Sequence, residues 1–61
     1  MKLNKIMTIL YKDKTIEEIE EILNNNNVNY TIEHNNIYTI IKYDNYEVIF
    51  IENICLKVLT V

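Results

Sequence analysis

Few residues in this 61-residue chain could bind a metal ion or act as a nucleophile. There is one histidine, His34, one cysteine, Cys55, and no serine. Transition-metal sites need three or four convergent His, Cys or carboxylate ligands, which His34 beside Glu33 and a distant Cys55 do not supply. Nucleophilic catalysis needs a nucleophile, a base and an orienting group, and Cys55 with His34 is the only pair available. We therefore expect no metal, no cofactor and no enzymatic activity, with His34 exposed in a hairpin and Cys55 packed in a strand.

A run of acidic residues is the other cluster that could do chemistry: Glu17, Glu18, Glu20 and Glu21. The run follows Thr15, which with Glu18 has the spacing of a capping box, and negative charge in the early turns suits the helix dipole. Apolar residues in the same stretch recur at helical spacing: Ile16, Ile19, Ile22 and Leu23. The pattern predicts an amphipathic helix that ends in Asn24–Asn27 and carries the glutamates on its solvated face.

Strands are expected over most of the remaining chain. Residues 2–11 are rich in apolar side chains, and from Val28 onward apolar and polar residues alternate. Because the chain has neither Gly nor Pro, Asn is expected to form the turns, since it tolerates left-handed backbone. Turns at Asn35-Asn36, Asp44-Asn45 and Asn53 would separate four strands, which begin at Val28, Ile37, Tyr46 and Ile54.

These elements predict one α+β domain over residues 1–61 with the order β-α-β-β-β-β. One amphipathic helix would pack on one face of a four- to five-stranded, mostly antiparallel sheet. The sequence does not decide the position of the first strand in the sheet. It could lie antiparallel beside the last strand or parallel beside the strand that follows the helix.

Two-residue turns fix a register, and directly opposed residues share a face of the sheet. Tyr30 would oppose Ile41 and Ile32 would oppose Thr39, while in the next hairpin Tyr43 would oppose Tyr46, Ile41 Val48 and Lys42 Glu47. The face assigned to the helix then carries Val28, Tyr30, Ile32, Ile37, Ile41, Tyr43, Tyr46, Val48 and Phe50. The other face has an apolar centre of Tyr38, Ile40, Ile49 and Ile51 with a polar rim of Asn29, Thr31, Glu33, Lys42 and Glu47. For the last strand, a two-residue loop would put Ile54, Leu56 and Val58 on that second face, and a three-residue loop would put Cys55, Lys57 and Leu59 there.

The second face is the functional hypothesis, because the only predicted helix is already used. Burying a large aliphatic side chain is worth about 1.5–3 kcal/mol, so an uncovered apolar centre favours a surface for self-association or partner binding. Partial cover by the first strand or the chain ends, or a wrong register, would remove the need for a partner. Strand propensity by itself also favours Ile on a wet face.

Charge and length narrow the classes of partner. The net charge is −3 and there is no arginine, so neither nucleic acid nor an anionic membrane is expected as a partner. No apolar segment approaches the roughly 18 residues of a membrane span, and the first apolar stretch is too short for a secretory signal, which favours the cytoplasm. A chain this short has a marginal core, and oligomerisation is a common remedy.

We therefore predict a small non-enzymatic interaction protein, a homo-oligomer that binds another macromolecule as an inhibitor or adaptor. By analogy, a bacterial or phage accessory protein fits this description. Its interface would comprise Tyr38, Ile40, Ile49, Ile51 and Lys42. The alternative is an oligomer that holds a small ligand between its subunits, with Tyr38, Lys42 and His34 supplying polar contacts.

Overall fold

Two helices pack on one face of a five-stranded antiparallel sheet in the computed structural model, which describes all 61 residues. The α+β class is therefore confirmed, with one helix more than predicted. The elements in chain order are β1 (Lys2–Leu3), α1 (Lys5–Tyr11), α2 (Ile16–Asn25), β2 (Thr31–Asn35), β3 (Tyr38–Tyr43), β4 (Tyr46–Ile51) and β5 (Ile54–Thr60). The strand order is β1-β5-β4-β3-β2, so the first strand lies antiparallel beside the last, one of the two expected placements.

The prediction of a strand over residues 2–11 is wrong beyond Leu3. Asn4 caps a helix there: its side-chain oxygen accepts the Met7 backbone N–H at 2.9 Å. Met7 and Tyr11 are one helical turn apart and face the core, while Thr8 faces β5. Three of the four remaining helical positions, Ile6, Ile9 and Leu10, are also apolar, so the inward-facing residues do not stand out in the sequence. This is why the helical period was missed.

Helix α2 is as predicted. The Thr15 hydroxyl accepts the Glu18 N–H at 3.1 Å and the Glu18 carboxylate accepts the Thr15 N–H at 2.9 Å, which completes the capping box. Ile19 and Leu23 are buried against the sheet. Asn27 ends the helix in left-handed backbone, with φ at 56°.

Asparagine and aspartate make most of the turns in this chain without glycine. Six residues have positive φ, and all but Glu52 are Asn or Asp: Asp13, Asn27, Asn36, Asp44, Glu52 and Asn53. The β3–β4 register is as predicted, with Ile41 opposite Val48. The β2–β3 register is displaced by two residues, because the turn lies at Asn36-Ile37. Ile32 therefore opposes Ile41, and Ile37 lies exposed in the turn instead of on the core face.

The last strand combines both predicted alternatives. Its loop has two residues and Ile54 opposes Ile51, but a bulge follows, because Cys55 pairs with Phe50 and Lys57 with Ile49. Leu56 is the extra residue of that bulge. As a result Ile54, Lys57 and Leu59 all lie on the same face of the sheet. Ile54 comes before the bulge, and Lys57 and Leu59 come after it.

Both helices contribute to a single core. It comprises Tyr11, Ile19, Leu23, Ile41, Tyr43, Val48, Phe50, Cys55 and Val58. We call the side of the sheet that carries Ile41, Val48, Phe50 and Val58 the core face. Within this core the hydroxyls of Tyr11 and Tyr43 lie 2.9 Å apart and form a hydrogen bond with each other.

Candidate functional site

The side of the sheet opposite the core face brings the predicted interface residues together. Tyr38 lies directly opposite Ile51, and Ile40 lies directly opposite Ile49, so the four side chains form a block on β3 and β4. Pairing across β5 extends this surface, because Ile51 opposes Ile54 and Glu47 opposes Leu59, which in turn opposes Leu3. We call the surface of these residues and Lys42 the open face.

Neither helix covers the open face. The buried cluster to which Tyr11, Ile19 and Leu23 contribute contains residues of the core face and none from the opposite side. Exposure on the open face is nevertheless uneven. Tyr38 is 42% exposed, Ile40 and Ile51 are half-buried, and Ile49 is only 7% exposed. The expectation that all four side chains face water therefore fails for Ile49, which is buried.

The polar rim of the open face is partly paired within the chain. Lys42 lies opposite Glu47 in the register, as predicted, but its ammonium group contacts the Glu33 carboxylate on β2 at 3.1 Å. Both side chains are exposed, and such surface pairs contribute about 0–1 kcal/mol. Lys42 is thus held at the β2 side of the face.

A second exposed apolar surface was not predicted. Ile6, Ile9 and Leu10 lie on the side of α1 that faces neither the core nor β5, and Ile6 and Ile9 are 74% and 78% exposed. We call these three residues the outer stripe. They are more exposed than any residue of the central block. Their spacing of three and four residues is helical, a signal that the sequence contained but that the strand assignment concealed.

The candidate catalytic pair does not meet. His34 on β2 and Cys55 on β5 belong to one cross-strand row, with Thr39 and Phe50 between them. At the usual strand spacing, three intervals separate them by about 14 Å. The His34 ring contacts the Thr39 hydroxyl at 3.1 Å, and Cys55 is 1% exposed.

Cys55 is also held in its thiol form. Burial raises its pKa to about 11. No group of three or more His, Cys, Asp and Glu side chains is arranged to hold a metal ion, and the surface has no pocket of ligand size. His34 shares the core-face side of the sheet and therefore lies on the opposite side from Tyr38 and Lys42. The three polar contacts of the small-ligand hypothesis do not converge within one chain.

The glutamates of α2 serve the fold. Hydrogen bonds from Thr15 lower the pKa of Glu18. Glu17 accepts a hydrogen bond from the Asn53 side chain at 3.0 Å, which ties α2 to the β4–β5 turn. Glu20 accepts the Tyr30 hydroxyl at 2.9 Å, and this bond raises the pKa of Tyr30. These contacts account for three of the four carboxylates.

Neither helix has the combination of length and hydropathy that crossing a bilayer requires. The chain offers two apolar surfaces, the open face and the outer stripe. Comparison with protein-family models, curated proteins and solved structures finds no match.

Proposed function

We propose that this chain is a non-enzymatic interaction protein that forms a homodimer through its open face and binds another macromolecule as a small inhibitor or adaptor. The proposal rests on the apolar block formed by two directly opposed pairs, Tyr38 with Ile51 and Ile40 with Ile49, on the side of the sheet without helices. A second copy on this face would remove the exposed parts of Tyr38, Ile40 and Ile51 from water. We propose further that it is a cytoplasmic accessory protein of a bacterium or phage.

Pairing of sheet edges is the competing route to a dimer, and the longer of the two edge strands is β2. All five of its residues are exposed. Glu33 lies at the centre of this short strand, and a charge in that position discourages pairing with another chain. A symmetric antiparallel pair centred on Glu33 would also place two like charges opposite each other. The charge pattern thus favours the open face over the edge.

The size of the open face sets the expected strength of the dimer. The molecule measures 26 × 21 × 18 Å, so one face of the sheet offers a flat area of roughly 400 Å². Stable interfaces bury about 800 Å² per partner. We therefore expect a weak dimer with a dissociation constant of about micromolar order.

A matched pair of substitutions tests this proposal. Tyr38→Glu puts a charge at an accessible position of the open face, whereas Ile37→Glu puts the same charge one residue away, in a turn at a position that is 68% exposed. Ile49 is unsuitable, because a carboxylate at a buried position would threaten the fold. Measured by light scattering during gel filtration, Tyr38→Glu is expected to lower the mass to that of a monomer, and Ile37→Glu is expected to leave the dimer intact. Equal masses for both variants and the wild type would refute the choice of face.

A further inference from the structure

The outer stripe points away from the body of the protein. Thr8 lies against β5, where its hydroxyl contacts the Val58 backbone, and Met7 and Tyr11 face the core. Successive helical residues are about 100° apart, so Ile6, Ile9 and Leu10 occupy the side that these contacts leave free. Three large aliphatic side chains on the free side of a helix at the sheet edge form a protruding apolar ridge.

Charge is divided sharply between this region and the rest of the chain. Residues 1–14 contain four lysines and one aspartate, a net charge of +3, whereas residues 15–61 contain two lysines and eight acidic residues, a net charge of −6. Lys2, Lys5 and Lys12 are all exposed near the two ends of α1. The surface around the outer stripe is therefore apolar and basic, and the overall charge of −3, from which no anionic membrane was expected as a partner, does not describe it.

This combination selects one kind of partner. A second copy meeting the outer stripe across a two-fold axis would bring the lysines of both copies together, which like-charge repulsion opposes. The acidic α2 of another copy has the opposite charge, but its exposed side is made of glutamate and asparagine and offers no apolar surface. A bilayer that contains acidic lipids provides both negative headgroups and an apolar interior.

We propose that the outer stripe docks the protein on an anionic lipid surface. Ile6, Ile9 and Leu10 enter the boundary between headgroups and acyl chains, and Lys2, Lys5 and Lys12 contact the acidic headgroups. Helix α1 lies in the plane of the interface, as its length of about 10 Å requires. This docking is independent of the open face, which stays available for the second copy.

Flotation of the full chain with vesicles tests the proposal. Vesicles of phosphatidylcholine with about 30 mol% phosphatidylserine are expected to carry the wild type upward, and those of phosphatidylcholine alone are expected to bind it at least about tenfold less well. About 0.5 M salt is expected to release the protein, because it screens the lysines. If the wild-type protein does not float with the acidic vesicles at low salt, the proposal is overturned. The outer stripe would then be a binding surface for an acidic protein.

Matched variants locate the contact. The double variant Ile6→Gln/Ile9→Gln is expected to reduce vesicle binding about tenfold or more, while Ile37→Gln, exposed on the β2–β3 turn, is expected to have no effect. Lys5→Gln is expected to weaken binding about fivefold, because it removes one of the three lysines that contact the headgroups. As a second readout, the fluorescence of Ile6→Trp is expected to shift to shorter wavelength on acidic vesicles, and that of Ile37→Trp is not. Equal behaviour of the stripe and turn variants overturns the proposal.

Discussion

The hydroxyl of Thr8 contacts both backbone polar groups of Val58. It accepts the Val58 N–H at 2.9 Å and donates to the Val58 carbonyl oxygen at 3.3 Å. That carbonyl also accepts the Asn4 N–H at 2.8 Å. A helical side chain thus takes the place of a neighbouring strand and closes the β5 edge, a common means of protecting an edge from other chains. The same contact fixes the rotation of α1 and directs the outer stripe away from the sheet.

Replacement of Thr8 by valine tests this edge closure. Valine keeps the shape but leaves the Val58 N–H without its partner, so the free energy of unfolding is expected to fall by about 1–3 kcal/mol. Thr8→Ser keeps the hydroxyl and is expected to lose less. Urea unfolding followed by circular dichroism measures both. Equal stability of the valine variant and the wild type would mean that the hydroxyl does not stabilise the edge.

Glu52 is expected to be a site where stability can be gained. It has φ at 51° without being Asn, Asp or Gly, and left-handed backbone costs an ordinary residue about 1–2 kcal/mol. Glu52→Asn is therefore expected to raise the melting temperature, with a gain of about 0.5–1 kcal/mol. Glu52→Gln removes the charge and keeps the backbone penalty, so it is the matched control. An equal gain from both variants would assign the effect to charge.

The buried hydroxyl pair of Tyr11 and Tyr43 is expected to behave as a coupled unit. Each single Tyr→Phe change leaves the other hydroxyl without its partner and is expected to cost about 1–2 kcal/mol. The double variant is expected to cost less than the sum of the two, since no orphaned hydroxyl is left. Thermal or urea unfolding of the four proteins gives the coupling energy. Strict additivity would show that the 2.9 Å contact contributes nothing.

Stability is expected to fall at alkaline pH. The folded pKa of the Cys55 thiol is raised by burial from its ordinary value of 9.0 to about 11, so the unfolded chain loses this proton first. The contribution is complete below pH 9 and is lost as the pH rises towards 11, with a slope of up to about 1.4 kcal/mol per pH unit. Burial likewise raises the pKa of Tyr43, which steepens the loss.

The variant Cys55→Val measures how much of this loss of stability at alkaline pH is due to the Cys55 thiol. Denaturant unfolding between pH 8 and 11 is expected to show a shallower decline for the variant than for the wild type. Parallel declines would contradict the role of Cys55. At neutral pH the buried thiol of the folded protein is expected to resist a thiol reagent that labels it readily in denaturant.

The parts of the fold that depend on local chemistry could be predicted from the sequence. The capping box of Thr15 and Glu18 identified α2, and the alternation around Asp44-Asn45 identified the β3–β4 register that builds the open face. The β2–β3 register differs by two residues. A slip of two keeps every side chain on its face, so the hydrophobic pattern does not distinguish the two registers.

Features that depend on tertiary contacts could not be predicted. The bulge at Leu56 reverses, in the middle of β5, which residues point to each face of the sheet. No turn-forming residue in the sequence indicates its position. Helix α1 was missed because Ile6, Ile9 and Leu10 are apolar although they face outward, which removes the polar side by which an amphipathic helix is recognised. The residues that hid the helix are the same ones that form the proposed lipid-binding surface.

Self-association through the open face is the central claim, and sedimentation velocity of the wild-type protein tests it most directly. Because a weak dimer follows mass action, the weight-average mass is expected to rise from near 7.4 kDa at about 0.1 µM towards twice that value at about 100 µM. A single species of 7.4 kDa over the whole range would contradict the claim.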